Sequence, residues 1–136
     1  MKYAAAAFLL SFVATSAQAQ DVRSWGQDTV QAYGACSIVG SAALLMGTVQ
    51  PDDFDKSRRC ADTKLEQARE AYAVLPPQTK PQAAAALKDY YAAWIAAMKS
   101  LPSRLAGTPA AADRTWSSTK QRLDELWARF EIEAGL

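Results

Sequence analysis

The chain has no histidine and only two cysteines, Cys36 and Cys60. Without histidine, Ser-His-Asp and Cys-His nucleophilic catalysis are excluded. So are His-ligated haem and the usual zinc sites. There is no Cys-x-x-Cys pair, which removes the common low-pKa redox thiol and the haem attachment motif. No Gly-rich phosphate loop and no EF-hand loop occurs. Strand-like alternation of apolar and polar residues is also missing, and charge of one sign is not in excess. No cofactor and no metal is expected from this residue set.

Residues 1–19 read as a secretory signal with its three parts. Lys2 is the positive start, Tyr3 to Val13 is an uncharged and mostly apolar core, and Ala17-Gln18-Ala19 is a small-x-small cleavage pattern. The core is shorter than the roughly 20 residues of a membrane-spanning helix. Periplasmic or secreted localisation is the expectation, and a cysteine pair in an exported chain reads as a disulfide. Removing 19 of the 136 residues leaves 117, residues 20–136, the size of one domain with one core. Lys2 is the only charge removed, so the 15 basic residues become 14 against 14 acidic. A net charge near zero argues against nucleic acid as a partner, because phosphate binding needs clustered Lys and Arg. Around Lys56-Ser57-Arg58-Arg59 the acids Asp52, Asp53, Asp55 and Asp62 suggest a solvated helix face with pairs such as Asp52/Lys56 and Asp55/Arg59.

Four helical segments follow. The first runs from about Val22 to Met46, with Trp25, Thr29, Tyr33, Cys36, Gly40 and Ala43 at helical spacing. It carries no charge between Asp28 and Asp52, so it is expected to be buried on all sides; membrane insertion is not expected. Its small residues, Gly34, Ser37, Gly40, Ser41 and Ala42, would allow neighbouring helices to approach closely, and either tight packing or a local break near Gly40 must offset the cost of the glycines. The second runs from Asp52 or Asp53 to about Leu75, capped by its own aspartates. Its buried face is Phe54, Ala61, Leu65, Ala68, Tyr72 and Leu75, and Pro76-Pro77 stops it. The third begins at a capping box, Thr79-Lys80-Pro81-Gln82, and carries Leu87, Tyr90, Tyr91, Trp94, Met98 and Leu101. In the fourth, Thr108 caps, Pro109 takes the first position, and Trp116, Lys120, Leu123, Trp127 and Phe130 form a stripe.

The expected fold is therefore all-α: an antiparallel four-helix bundle stapled by one disulfide, after a cleaved signal peptide. A first hairpin turning near Val49 would put Cys36 and Cys60 at nearly the same height on neighbouring helices, as a bridge requires.

With catalytic groups missing, a non-enzymatic binding protein is the reading. Glu66 with Glu70 and Glu131 with Glu133 do not face each other across a cleft as a glycosidase pair must, and Arg69 and Arg129 sit beside them. Asp52-Asp53-x-Asp55 lacks the Gly and bidentate Glu of a calcium loop. The candidate partner-binding residues are Asp52, Asp53 and Asp55 in the acidic first turn and the aromatic set Tyr90, Tyr91 and Trp94. Adjacent tyrosines point about 100° apart on a helix, so one of the pair should leave the core, and Tyr and Trp are favoured hot spots. The expected partner is another protein, met through the Val49–Phe54 turn or the Leu101–Thr108 loop. In signal, size, helicity and cysteine pair, the chain loosely resembles periplasmic immunity proteins that block type VI amidase effectors. The resemblance implies an inhibitor of a cell-envelope enzyme and carries over no site residue. The alternatives are a periplasmic small-ligand binder with a pocket lined by Met46, Met98 and the tryptophans, and a structural or stress-related envelope protein.

Overall fold

The computed structural model describes residues 7–136, with side chains from Asp21 onward. Of the expected signal sequence, residues 1–6 lie outside the described residues and residues 7–19 fall within the first helix. The chain is all-α, with no strand among the described residues. Its elements are α1 (Ala7–Ser37), α2 (Ser41–Met46), α3 (Pro51–Ala73), α4 (Pro81–Ser100), a 3₁₀ turn (Pro102–Ala106) and α5 (Pro109–Ala134).

Three prolines set three helix starts. Pro occupies the first helical position of α3, α4 and α5, where its missing N–H is not needed and its fixed φ suits the helix. The cap is then the residue before it. At α5 this is the expected Thr108, whose Oγ1 accepts from the Ala111 N–H at 3.2 Å. At α3 the cap is Gln50, not an aspartate, and Asp53 Oδ2 accepts from the Gln50 N–H at 2.8 Å. At α4 the cap is Lys80, and no side chain caps it. Thr79 lies one residue too early, so the capping box expected there does not form.

The first expected helix is broken. Gly40 adopts φ 78° and Gly47 φ 66°, left-handed conformations that Gly alone enters cheaply. They separate α2 from α1 and α3. Nor is α1 buried all round. Val22, Trp25, Thr29, Tyr33 and Cys36 face the core, while Gln27, Asp28, Val30, Gln31 and Ala35 are exposed. A three- and four-residue spacing buries one stripe, and the opposite positions here, Val30 apart, are polar or small. The Asp21–Met46 stretch is apolar and long enough to cross a membrane by composition alone, but the turn at Ile38–Gly40 interrupts it.

The core joins the α1 stripe to Leu87, Tyr90, Trp94 and Met98 of α4 and to Leu123, Leu126 and Phe130 of α5. The face expected for α3 is oriented as foreseen, but only Ser57 and Ala61 of that helix are fully buried. Gly26 of α1 is fully buried against α5: a Cβ there would overlap the six-membered ring of Trp127.

One polar node sits inside this apolar core. Trp94 Nε1–H donates to the Thr29 carbonyl at 2.7 Å. The Thr29 hydroxyl donates to the Gly26 carbonyl at 2.7 Å. Having spent its single proton there, it accepts from the Tyr90 hydroxyl, also at 2.7 Å. Every buried polar atom of the node thus has a partner.

Cys36 and Cys60 form the expected disulfide, with Cα atoms 5.6 Å apart, inside the normal range.

Two predictions follow from this packing. Tyr90→Phe removes one hydrogen bond but leaves Thr29 satisfied by Gly26, so it should cost about 1 kcal/mol; Thr29→Val strands a buried phenol and should cost about 1–3 kcal/mol. Urea denaturation of both variants checks the order, and a Tyr90→Phe loss larger than that of Thr29→Val would refute the proton assignment. The bridge closes a sequence separation of 24, so Cys36→Ala/Cys60→Ala should lose about 3 kcal/mol. Alkylation of the native protein should modify no thiol.

Candidate functional site

The six residues expected to meet a partner do not form one site. Tyr90 and Trp94 are both at 0% exposure, held by the Thr29 node, so neither presents a face to solvent. Tyr91 is the tyrosine that leaves the core line. It is half-buried and stacks on Tyr72 at 4.3 Å between ring centroids. Trp25 meets Tyr72, Tyr90 and Tyr91 at 5.3–5.9 Å, and its indole N–H donates to the Ala68 carbonyl at 3.2 Å. This aromatic group ties α1, α3 and α4 together.

The acidic turn is occupied locally. Asp52 pairs with Lys56 at 2.6 Å, and Arg59 approaches it at 3.9 Å. Asp55 pairs with Arg58 at 3.0 Å, not with the expected Arg59. Asp53 serves the cap. Asp55 and Tyr72 are 17 residues apart on one helix, about 25 Å at 1.5 Å per residue, so the acidic turn and Tyr91 occupy opposite ends of α3. The carboxylates considered for catalysis are dispersed too. Glu66 pairs with Arg69 at 2.6 Å, and Arg129 reaches Asp89 at 3.7 Å. No three His, Cys, Asp or Glu side chains converge among the described residues.

The molecule's apolar opening lies elsewhere. A cavity of about 400 Å³, open to solvent on one side, is bordered by the end of α1, by α2, by the 3₁₀ turn and by the start of α5. Ile38, Leu44, Leu101, Leu105 and Trp116 supply its apolar wall. Gly34, Ser37 and Ser41 line it as well. These small residues were expected to let helices close up, yet a Cβ at Gly34 would meet nothing within 4 Å. The stripe leaves a space because α2 turns away at Gly40. Of the residues expected to line a pocket, Met98 is sealed in the core and Met46 is 70% exposed outside it; Trp116 alone lines this one.

Arg104, which the sequence reading passed over, stands at the cavity wall. Its guanidinium donates to the Tyr33 hydroxyl and lies 5.4 Å from the Tyr33 ring centroid. On Tyr33, the Trp116 ring stacks at 4.9 Å. The only sequence signal for Arg104 was a lone cation between Leu101 and Leu105. Comparison with protein-family models, with curated proteins and with solved structures finds no match.

Burial pushes the Tyr90 phenol up to about 12, and the Asp124 charge adds to the rise. Burial also raises Tyr72 and Tyr91. An unfolded tyrosine releases its proton near pH 10, whereas folded Tyr90 holds it to about pH 12. Its contribution is therefore intact below pH 10 and lost between pH 10 and 12, by roughly 2–3 kcal/mol. Urea unfolding at pH 9 and pH 11.5 should show a shallower decline for Tyr90→Phe than for wild type. Equal declines would contradict the shift.

Proposed function

We propose that the protein is an exported, non-enzymatic helical bundle that acts by binding another macromolecule, in the manner of an inhibitor of a cell-envelope enzyme. The proposed arrangement is antiparallel, four long helices running up and down. Its support is the order of contacts: Cys36 meets Cys60 while Trp25 reaches Ala68, and Lys80 reaches Ala134 while Tyr90 packs on Trp127. Export is supported by the disulfide, since such bonds persist in oxidising compartments.

The observation that carries the binding reading is the end of the molecule around α2. Ile38, Leu45 and Met46 are 69%, 72% and 70% exposed, and α2 buries none of its residues fully. No charged residue lies between Asp28 and Asp52. A contiguous apolar projection of this kind marks interaction sites more often than inert surface. The 3₁₀ turn within the Leu101–Thr108 segment flanks α2, so one of the two segments expected to form an inhibitory knob takes part in this end.

Immobilised oxidised protein should retain one stoichiometric partner from envelope fractions at moderate salt. Leu45→Glu/Met46→Glu should abolish retention, and Asp52→Asn/Asp55→Asn should leave it intact. Loss on the aspartate variant alone would move the contact to the acidic turn. Turnover of an envelope substrate by the purified protein would end the non-enzymatic reading.

A further inference from the structure

The cavity behind α2 has a chemistry of its own. Its wall is apolar, and an apolar space of about 400 Å³ is within the range of small-molecule sites. Four lining residues are polar: Ser37, Ser41, Arg104 and Asp113. Both serine hydroxyls spend their protons on backbone carbonyls, Ser37 on Gly34 and Ser41 on Ile38, each at 2.7 Å. They have no proton left to offer a ligand.

Arg104 is different. Among the described residues, no carboxylate lies within ion-pairing distance of it. Its Nε is buried and has no acceptor. A guanidinium keeps its charge at any pH a protein meets, so this one stands beside an apolar cavity with no counter-charge and with its Nε donor unmatched. An arrangement of this kind is costly unless something completes it.

We propose that the cavity binds a small aliphatic monocarboxylic acid, with its chain along Leu44, Leu101, Leu105 and Trp116 and its carboxylate at Arg104. The charge count selects the monoanion. One cation lines the cavity, and exposed Asp113 at the rim disfavours a second negative charge, so a phosphate dianion is a poor fit. Arg104 is the only cation in the lining, which sets the orientation, head at the 3₁₀ turn and tail toward α2. This assignment does not rest on the protein-partner reading: Leu45 lines the cavity but Met46 does not, so Met46→Glu tests the partner surface without touching the ligand site.

Dodecanoate, kept below its micellar concentration, is the probe. Calorimetry on the full-length oxidised protein should give one site per chain, and the fluorescence of Trp116 should respond. Arg104→Gln should weaken binding by about tenfold or more, while dodecan-1-ol should bind wild type and Arg104→Gln equally weakly. Gly34→Leu puts a side chain into open space and should abolish binding without lowering Tm. Asp113→Asn should bind at least as well as wild type. No saturable binding by wild type would overturn the assignment, as would dodecanoate affinity unchanged by Arg104→Gln, or binding that survives in a folded Gly34→Leu protein. Normal dodecanoate binding with no captured partner would leave this site standing and remove the partner reading; the reverse result would do the opposite.

Discussion

The indole of Trp94 reaches across the core to the main-chain carbonyl of Thr29, and the register of the helices follows from it. Neither residue is accessible to water, so an unmatched N–H here would cost a full desolvation penalty. Sliding α1 by one residue against α4 would break this bond and the Tyr90–Thr29 bond together. Fixing that register places Trp25 in the aromatic group at one level, Cys36 opposite Cys60 at another, and Tyr33 under Arg104 beyond it. Apolar packing alone is more forgiving. The directional bonds are what make one alignment of these alanine-rich helices better than its neighbours.

The attachment of α3 is of another kind. With only Ser57 and Ala61 fully buried, it shares little of the central core. Its ion pairs, Lys56–Asp52, Arg58–Asp55 and Arg69–Glu66, have side chains more than half exposed, where water and salt screen the attraction and little stability results. What holds α3 is the disulfide, the Trp25–Ala68 hydrogen bond and the half-buried line of Leu65, Ala68 and Tyr72. The covalent tie thus falls on the long helix that buries the fewest of its residues.

Local chemistry was readable from the sequence, and emptiness was not. Helical class, the cysteine pair, the apolar stripes and the split between Tyr90 and Tyr91 all follow from periodicity and spacing. The Thr108-Pro109 start was read correctly because Pro at the first helical position makes its predecessor the cap. The same rule holds at Gln50-Pro51 and Lys80-Pro81, where acidic side chains and a capping-box pattern drew attention to the wrong residues. The cavity had no such signal. It arises where four segments fail to close, and Gly34 and Ser37 are the residue types that also permit close approach. Arg104 was overlooked for a related reason: a cation reads as surface until the tertiary fold is seen to deny it a counter-charge.

The absent side chain of Gly26 makes room for the Trp127 ring and works as a keyway. In helices whose surfaces are smoothed by alanine, most neighbouring alignments differ little in steric fit. A notch one residue wide, met by the largest side chain on the opposing helix, makes them differ sharply. Any side chain placed at this position must displace the Trp127 ring, whatever its helix propensity, so the fit of the two helices is written in an atom that the chain leaves out.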